Sequence, residues 1–228
     1  MYSGSQTFST LPGRALRQTG SGSTGRSTTD NNQWHIDPST LAVCRKEDGS
    51  PVKLGRGGFG SVFKAMQDGR TWCCQKAEVM LVTEFCERGD LYHTLENQPE
   101  EHCDGQFSWY RRGQGIALDV ARGLFSLHSR RIVHFDIKSP NILLTREYLA
   151  KIADVGTSVT VAADIWSFGV IMWELMTGEQ PSRGRYRSPR VPQEAPASAV
   201  ALMQACMAED AFLRPTAGDI IQELEQDE

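Results

Sequence analysis

Residues 164–178, Asp-Ile-Trp-Ser-Phe-Gly-Val-Ile-Met-Trp-Glu-Leu-Met-Thr-Gly, are apolar nearly all the way round a helix. A surface helix keeps one polar face for water; this one has almost none, so it must be buried on most sides. Whatever else the chain does, the fold has to enclose this segment. Gly178 is the natural stop, since glycine takes the left-handed conformation that ends helices at no steric cost.

A second segment carries chemistry. In residues 132–144, Ile-Val-His-Phe-Asp-Ile-Lys-Ser-Pro-Asn-Ile-Leu-Leu, two apolar runs flank a polar loop with His134, Asp136, Lys138 and Asn141. The apolar runs read as buried anchors and the loop as a surface turn between them. A carboxylate, an ammonium and an amide in this spacing suit phosphoryl transfer. The Asp136 carboxylate can orient and deprotonate an attacking hydroxyl, the Lys138 ammonium can neutralise phosphate oxygens, and the Asn141 amide oxygen can hold Mg²⁺.

This loop resembles the catalytic loop of protein kinases, His-x-Asp-x-x-x-x-Asn. Lys138, two after the aspartate, is the serine/threonine-kinase residue. Eighteen residues after Asp136, Asp154-Val155-Gly156 is similar to the kinase Asp-Phe-Gly motif, with Val in place of Phe. By that resemblance Asp154 is a second Mg²⁺ ligand, and residues 164–178 are the family's central buried helix. Phe135 stands where the family has the arginine that binds a phosphorylated activation loop.

Composition limits the alternatives. The 228 residues carry a net charge of −4, so there is no nucleic-acid footprint, and 39% of them are hydrophobic. No apolar run is long enough to span a membrane. The six cysteines form no C-x-x-C pair and read as thiols of a reducing compartment, which points to the cytoplasm. Residues 1–33 are rich in Ser, Thr and Gly, lack hydrophobic periodicity and are expected to be a disordered tail. Their acid-poor, arginine-bearing composition also suits an organellar transit peptide.

Folded material, residues 34–228, starts at Trp34. Leu54-Gly55-Arg56-Gly57-Gly58-Phe59-Gly60-Ser61-Val62 is followed by a strand and by Asp68-Gly69, a hairpin turn. Strand, glycine loop, strand is the kinase form of this motif, in which Leu54, Gly55, Gly57, Gly58, Phe59, Gly60 and Val62 shape a cradle for ATP phosphates. Lys76 lies where the family lysine grips the α- and β-phosphates; it also reads as an exposed strand-end lysine. Met80–Cys86 resembles the fifth kinase strand and hinge. Only three residues separate Lys76 from Met80, too few for the helix and strand that the family puts there. The helix normally supplies a glutamate to the lysine.

Beyond the hinge, Asp90 is a suitable N-cap for a short helix. Ile116, Val120, Leu124 and Leu127 recur at three- and four-residue steps in a longer helix opening near Ser108. Nine residues separate Asp154 from Asp164, leaving no room for the family's activation segment. Arg214 resembles the arginine that pairs with that segment's glutamate. Residues 179–197, with four prolines and Arg183, Arg185, Arg187 and Arg190, read as a solvated loop or as a docking site for acidic partners. Helices at 199–207 and from Thr216 close the chain, the last opening with Asp219 three residues on, close to a capping box.

The resemblance implies an α+β, two-lobed kinase-like fold with a truncated antiparallel β N-lobe at about 50–86 and a mainly helical C-lobe at about 87–226. It implies ATP and Mg²⁺ as cofactors and a protein Ser/Thr substrate. Three readings stay open: an active kinase, a catalytically inactive module that binds partners, and a truncated product of a kinase gene.

Overall fold

In the computed structural model, which describes residues 14–16, 36, 38–57, 60–76, 80–97, 108–154, 160–182, 186–191 and 193–226, Asp68 and Gly69 both take left-handed backbone, φ 49° and 74°. Two successive positive φ values make the tight turn whose twist matches paired strands. It joins β4 (Gly60–Gln67) to β5 (Arg70–Lys76) in unbroken antiparallel register from Gln67↔Arg70 to Ser61↔Lys76. Around this hairpin a sheet of the first unit, Met1–Phe85, is built.

Strand β3 (Lys53–Gly57) pairs with β4, with Gly57 opposite Gly60 and a bulge between Lys53 and Gly55. Short β2 (Ala42–Val43) also pairs with β4, so the sheet begins ahead of residue 50. On the other side β6 (Met80–Glu84) lies directly against β5, with Gln75 opposite Leu81. Consecutive strands joined by residues 77–79 can only form a hairpin. The outer edge of β6 is met by β1 (Arg14–Leu16), drawn from the stretch expected to be a disordered tail; the rest of residues 1–33 lie outside the described residues. Ile36, Ala65, Cys74 and Val82 form the small buried core of this unit.

The second unit, Cys86–Glu228, is mainly helical. Helix α1 (Leu91–Glu96) is capped by Asp90, whose carboxylate accepts from the His93 N–H. A wide turn at Trp109–Gly113 leads into α2 (Gln114–Ser129), where Ile116, Val120, Leu124 and Leu127 are all buried. The next helix, α3 (Val161–Thr177), starts three residues before Asp164 and ends at Gly178, φ 67°, whose N–H bonds the Glu174 carbonyl. Its enclosure follows from its composition: Ile165, Phe168, Ile171, Met172, Trp173 and Leu175 are all buried.

Two further helices, α4 (Ala197–Cys206) and α5 (Ala217–Gln226), pack on α3 and α2 respectively. Thr216 and Asp219 cap α5 reciprocally: the Thr216 N–H and hydroxyl donate to Asp219, and the Asp219 N–H donates back to Thr216 Oγ1. A three-stranded sheet of β7 (Gly89–Asp90), β8 (Ile142–Leu144) and β9 (Ala150–Ile152) completes the unit. Among the described residues no helix is long and apolar enough to cross a membrane.

Candidate active site

The polar loop at 132–144 is held at both ends. At its far end all three residues of β8 are buried, with Ile142 opposite Ile152 of β9. The pairing continues one step further, as the Ala153 N–H donates to the Asn141 carbonyl at 2.8 Å. The chain past Ala153 is thereby carried alongside Asn141, so Asp154 follows one residue beyond that bond.

At the near end the anchor is Asp164, fully buried in the first turn of α3. It accepts the His134 N–H at 2.8 Å, the Phe135 N–H at 2.7 Å and His128 Nε2–H at 3.0 Å. Burial pushes its carboxyl up, but the bonds from His128, His134 and Phe135 outweigh this and hold it below the usual carboxylate range. Phe135, at φ 68° with its ring exposed, takes strained backbone that these bonds maintain. His134 is buried and links three parts: Nε2 donates to the Ala153 carbonyl at 2.8 Å, and Nδ1 accepts the Asp136 N–H at 3.3 Å. The carbonyl needs a donor and the N–H an acceptor, which assigns the Nε2–H tautomer.

Between these anchors, Lys138 Nζ donates to Asp136 Oδ2 at 2.7 Å. Asn141 Nδ2 donates to the Asp136 carbonyl at 2.7 Å and to its Oδ2 at 3.1 Å. Asp136 Oδ1 and Asn141 Oδ1 accept no hydrogen bond among the described residues. Asp154 is half-buried at φ 64°, and its carboxyl is raised by burial and then by the charge of Asp136, partly offset by His134 and Lys138. An amide oxygen and a carboxylate that faces a second carboxylate suit a hard divalent cation, which would relieve the repulsion. Among the described residues no three His, Cys, Asp or Glu side chains form a metal set. The remaining positions would fall to phosphate and water oxygens, as is usual for Mg²⁺.

In the first unit, Leu54, Gly55 and Gly57 lie on β3 and Gly60 and Val62 on β4, with Gly55 opposite Val62. Gly58 and Phe59 lie outside the described residues. Lys76 ends β5 with its backbone opposite Ser61, next to Gly60.

The protein-family model described as protein tyrosine and serine/threonine kinase matches residues 69–161 and 157–224. The chain belongs to the protein kinase family. Among kinase relatives, serine/threonine-protein kinase STY17 of Arabidopsis thaliana is 27% identical over 194 residues, covering 68% of this chain and 33% of that protein. Mitogen-activated protein kinase kinase kinase 12 of Rattus norvegicus is 32% identical over 137 residues, 48% of this chain and 15% of the relative. Serine/threonine-protein kinase CTR1 of Arabidopsis thaliana is 34% identical over 139 residues, 47% and 16%. The chain thus spans a third or less of the length of these kinases.

The two matched stretches meet at 157–161, inside the short interval between Asp154 and Asp164. The glycine hairpin precedes the matched residues, whereas Lys76, Asp136, Lys138, Asn141 and Asp154 fall within them. Arg214, which would meet a glutamate of the kinase activation segment, instead donates to the Ala162 carbonyl at 2.8 Å and the Ala208 carbonyl at 2.9 Å, and lies 5.0 Å from the Trp166 ring centre. Arg187 is engaged by Glu179 and Glu194 at 2.8 and 2.6 Å, so this arginine of the 179–197 loop is internally paired. Arg183 and Arg185 lie outside the described residues.

Sequence reasoning missed the holding role of Asp164 and the pairing of Ser139 with Glu174, whose hydroxyl donates at 2.8 Å. The signal was present: Asp and Glu are almost never fully buried unless paired, and both sit in an otherwise apolar helix.

Proposed function

We propose that the chain is the catalytic portion of a protein serine/threonine kinase, transferring the γ-phosphoryl of ATP to a protein Ser or Thr hydroxyl. The observation that carries this reading is the Asp136 carboxylate held by both Lys138 and Asn141 on a loop anchored at two ends. Asp136 accepts the hydroxyl proton on Oδ1 as the hydroxyl oxygen bonds to the γ-phosphorus. The bond to the β–γ bridging oxygen breaks, and ADP leaves. Lys138 offsets charge on the transferring group, a role available to an ammonium already at the carboxylate.

Asn141 and Asp154 would hold Mg²⁺, which when bound neutralises phosphate charge. Leu54, Gly55, Gly57, Gly58, Phe59, Gly60 and Val62 would line the phosphates, and Lys76 would grip the α- and β-oxygens. Lys138 and the names of the relatives support serine or threonine rather than tyrosine as the acceptor. Six cysteines, none of them in a C-x-x-C pair, support a cytoplasmic setting.

A second reading is favoured by the direct β5–β6 hairpin. With no helix between these strands, no helix-borne glutamate from that place reaches Lys76, and kinase turnover requires that pair. In this reading the chain binds nucleotide or partners without transfer. Thermal shift with Mg-ATP, followed by phosphate transfer to a generic basic protein, separates the two. Transfer abolished by Asp136→Asn supports the enzyme; nucleotide binding with no transfer supports the silent module.

A further inference from the structure

Tyr148 sits at φ 68° in the turn between β8 and β9, a left-handed backbone that is costly for a bulky side chain. The turn holds it there. The Thr145 N–H donates to the Leu149 carbonyl at 3.0 Å, the Tyr148 N–H to the Thr145 carbonyl at 3.0 Å, and the Leu149 N–H to Thr145 Oγ1 at 3.1 Å. What the strained residue carries is a ring between two cations. The Arg88 guanidinium lies 3.6 Å from the ring centre and the Arg112 guanidinium 3.7 Å. Two groups that close cannot share one face, so one covers each face and their centres stand about 7 Å apart. Arg88 precedes β7 and Arg112 precedes α2, so three separate parts of the second unit meet at this ring.

Both cations are positioned and neither is neutralised. The Arg88 N–H donates to the Leu144 carbonyl at 3.1 Å and its Nε–H to the Arg146 carbonyl at 2.8 Å, while its two Nη groups have no acceptor among the described residues. Arg112, half-buried, donates no side-chain hydrogen bond among the described residues. The acids nearby are placed otherwise. Glu87 accepts the Arg146 N–H at 3.0 Å, Asp119 accepts the Ala150 N–H at 2.9 Å, and exposed Glu147 makes no ion pair among the described residues. Two like charges on one ring repel, and an anion bridging them at the ring edge offsets that repulsion.

The spacing and the charge select the anion. Guanidinium-to-oxygen bonds are about 2.8 Å long, so one from each side, with the width of a tetrahedral phosphate between them, spans the pair. A phosphomonoester brings a charge of about −1.5 to −2 and three acceptor oxygens, which matches two cations; a carboxylate brings one charge and two oxygens. Leu149 follows Tyr148 and Tyr110 stands two residues before Arg112, and both are more than half exposed. We infer that Arg88 and Arg112, stacked on Tyr148, bind a phosphorylated serine or threonine of a partner polypeptide, with its flanking apolar side chains on Leu149 and Tyr110. A bilayer fits less well. Anionic membranes are held by runs of about four to eight basic residues, whereas here an acid adjoins the arginine in both Glu87-Arg88 and Arg146-Glu147, and the chain carries −4. The inference stands whether or not the chain itself transfers phosphate.

The test is fluorescence anisotropy with the full chain and a fluorescein-labelled peptide, Gly-Leu-phosphoserine-Leu-Gly, against the same peptide with plain serine. The phosphopeptide should bind saturably and the plain peptide at least about tenfold more weakly. Arg88→Gln and Arg112→Gln should each weaken the phosphopeptide by on the order of tenfold. Arg112→Lys should not restore it, since an ammonium neither lies flat on a ring nor offers a planar fork. Competition identifies the source of the phosphate. Inorganic phosphate should need at least about tenfold more than unlabelled phosphopeptide to displace the label, because it lacks the apolar contacts. Vesicles of phosphatidylcholine with phosphatidic acid should displace it no better than vesicles of phosphatidylcholine alone.

Equal binding of the plain peptide, unchanged binding by folded Arg112→Gln, inorganic phosphate as effective as the phosphopeptide, capture by the anionic vesicles, or no binding at about 1 mM chain would overturn the proposal. Should Arg112→Gln fail to fold, Tyr148→Asn decides. Asparagine accepts the left-handed backbone and removes the ring that positions both guanidiniums, so it must weaken the phosphopeptide, and undiminished binding sinks the site.

Discussion

Asp164 and Glu174 lie ten residues apart on one buried helix, and their surroundings drive their protons in opposite directions. Three donors outweigh burial at Asp164; one hydroxyl does not at Glu174. Asp164→Ala would strand the buried His134 N–H and the part-buried Phe135 N–H and is expected to cost about 3 kcal/mol, measured by urea unfolding at pH 7. Because its folded carboxyl lies below the unfolded value, the stability that Asp164 supplies is complete above the ordinary carboxylate range. It is lost as pH falls through the folded value. Glu174 runs the other way: its proton is held up to about 7 in the folded chain against 4.5 unfolded, so stability declines as pH rises between those values. Glu174→Gln should remove that decline, gaining roughly 3 kcal/mol over the parent at pH 8 relative to pH 4.5. Equal pH profiles for the two proteins would contradict it. The meeting of Asp136, Lys138 and Asn141 was legible because those residues are close neighbours. The partners of Asp164 lie 29 to 36 positions away and left no local pattern.

Helix α3 meets α4 at Gly169, where a Cβ would come within 2.7 Å of Met207 Cγ, 3.0 Å of Cys206 Cβ and 3.3 Å of the Met203 carbonyl. Gly169→Ala should therefore separate the two helices and cost about 1–3 kcal/mol in thermal unfolding. Gly115, exposed on α2 with nothing near its missing Cβ, is the control: Gly115→Ala should stabilise by about 0.5–1 kcal/mol through helix propensity. Helix ends and turns were readable at this scale, since Asp90, Gly178, Asp68-Gly69 and the Thr216–Asp219 pair act on their own neighbours. Strand β1 was not readable. Its three residues have no strand pattern of their own and are recruited by the open edge of β6, which a sequence does not display.

The two units differ in how much apolar surface they bury. Among the described residues the second has a continuous core spanning α1 to α5, whereas the core cluster of the first is small, formed by Ile36, Ala65, Cys74 and Val82. Limited proteolysis should accordingly digest the first unit earlier and leave a resistant fragment starting near residue 86. Simultaneous loss of both would contradict independent stability. Residue order alone determined that a helix must be enclosed, that a kinase-like polar loop exists, and that β5 runs into β6 with no helix between, because each depends on composition or spacing over a short stretch. Only tertiary structure decided that Arg214 binds the Ala162 and Ala208 carbonyls, that Asp164 holds the catalytic-type loop, and that Glu174 keeps its proton. Burial and the identity of partners are set by segments that meet only after the chain has folded.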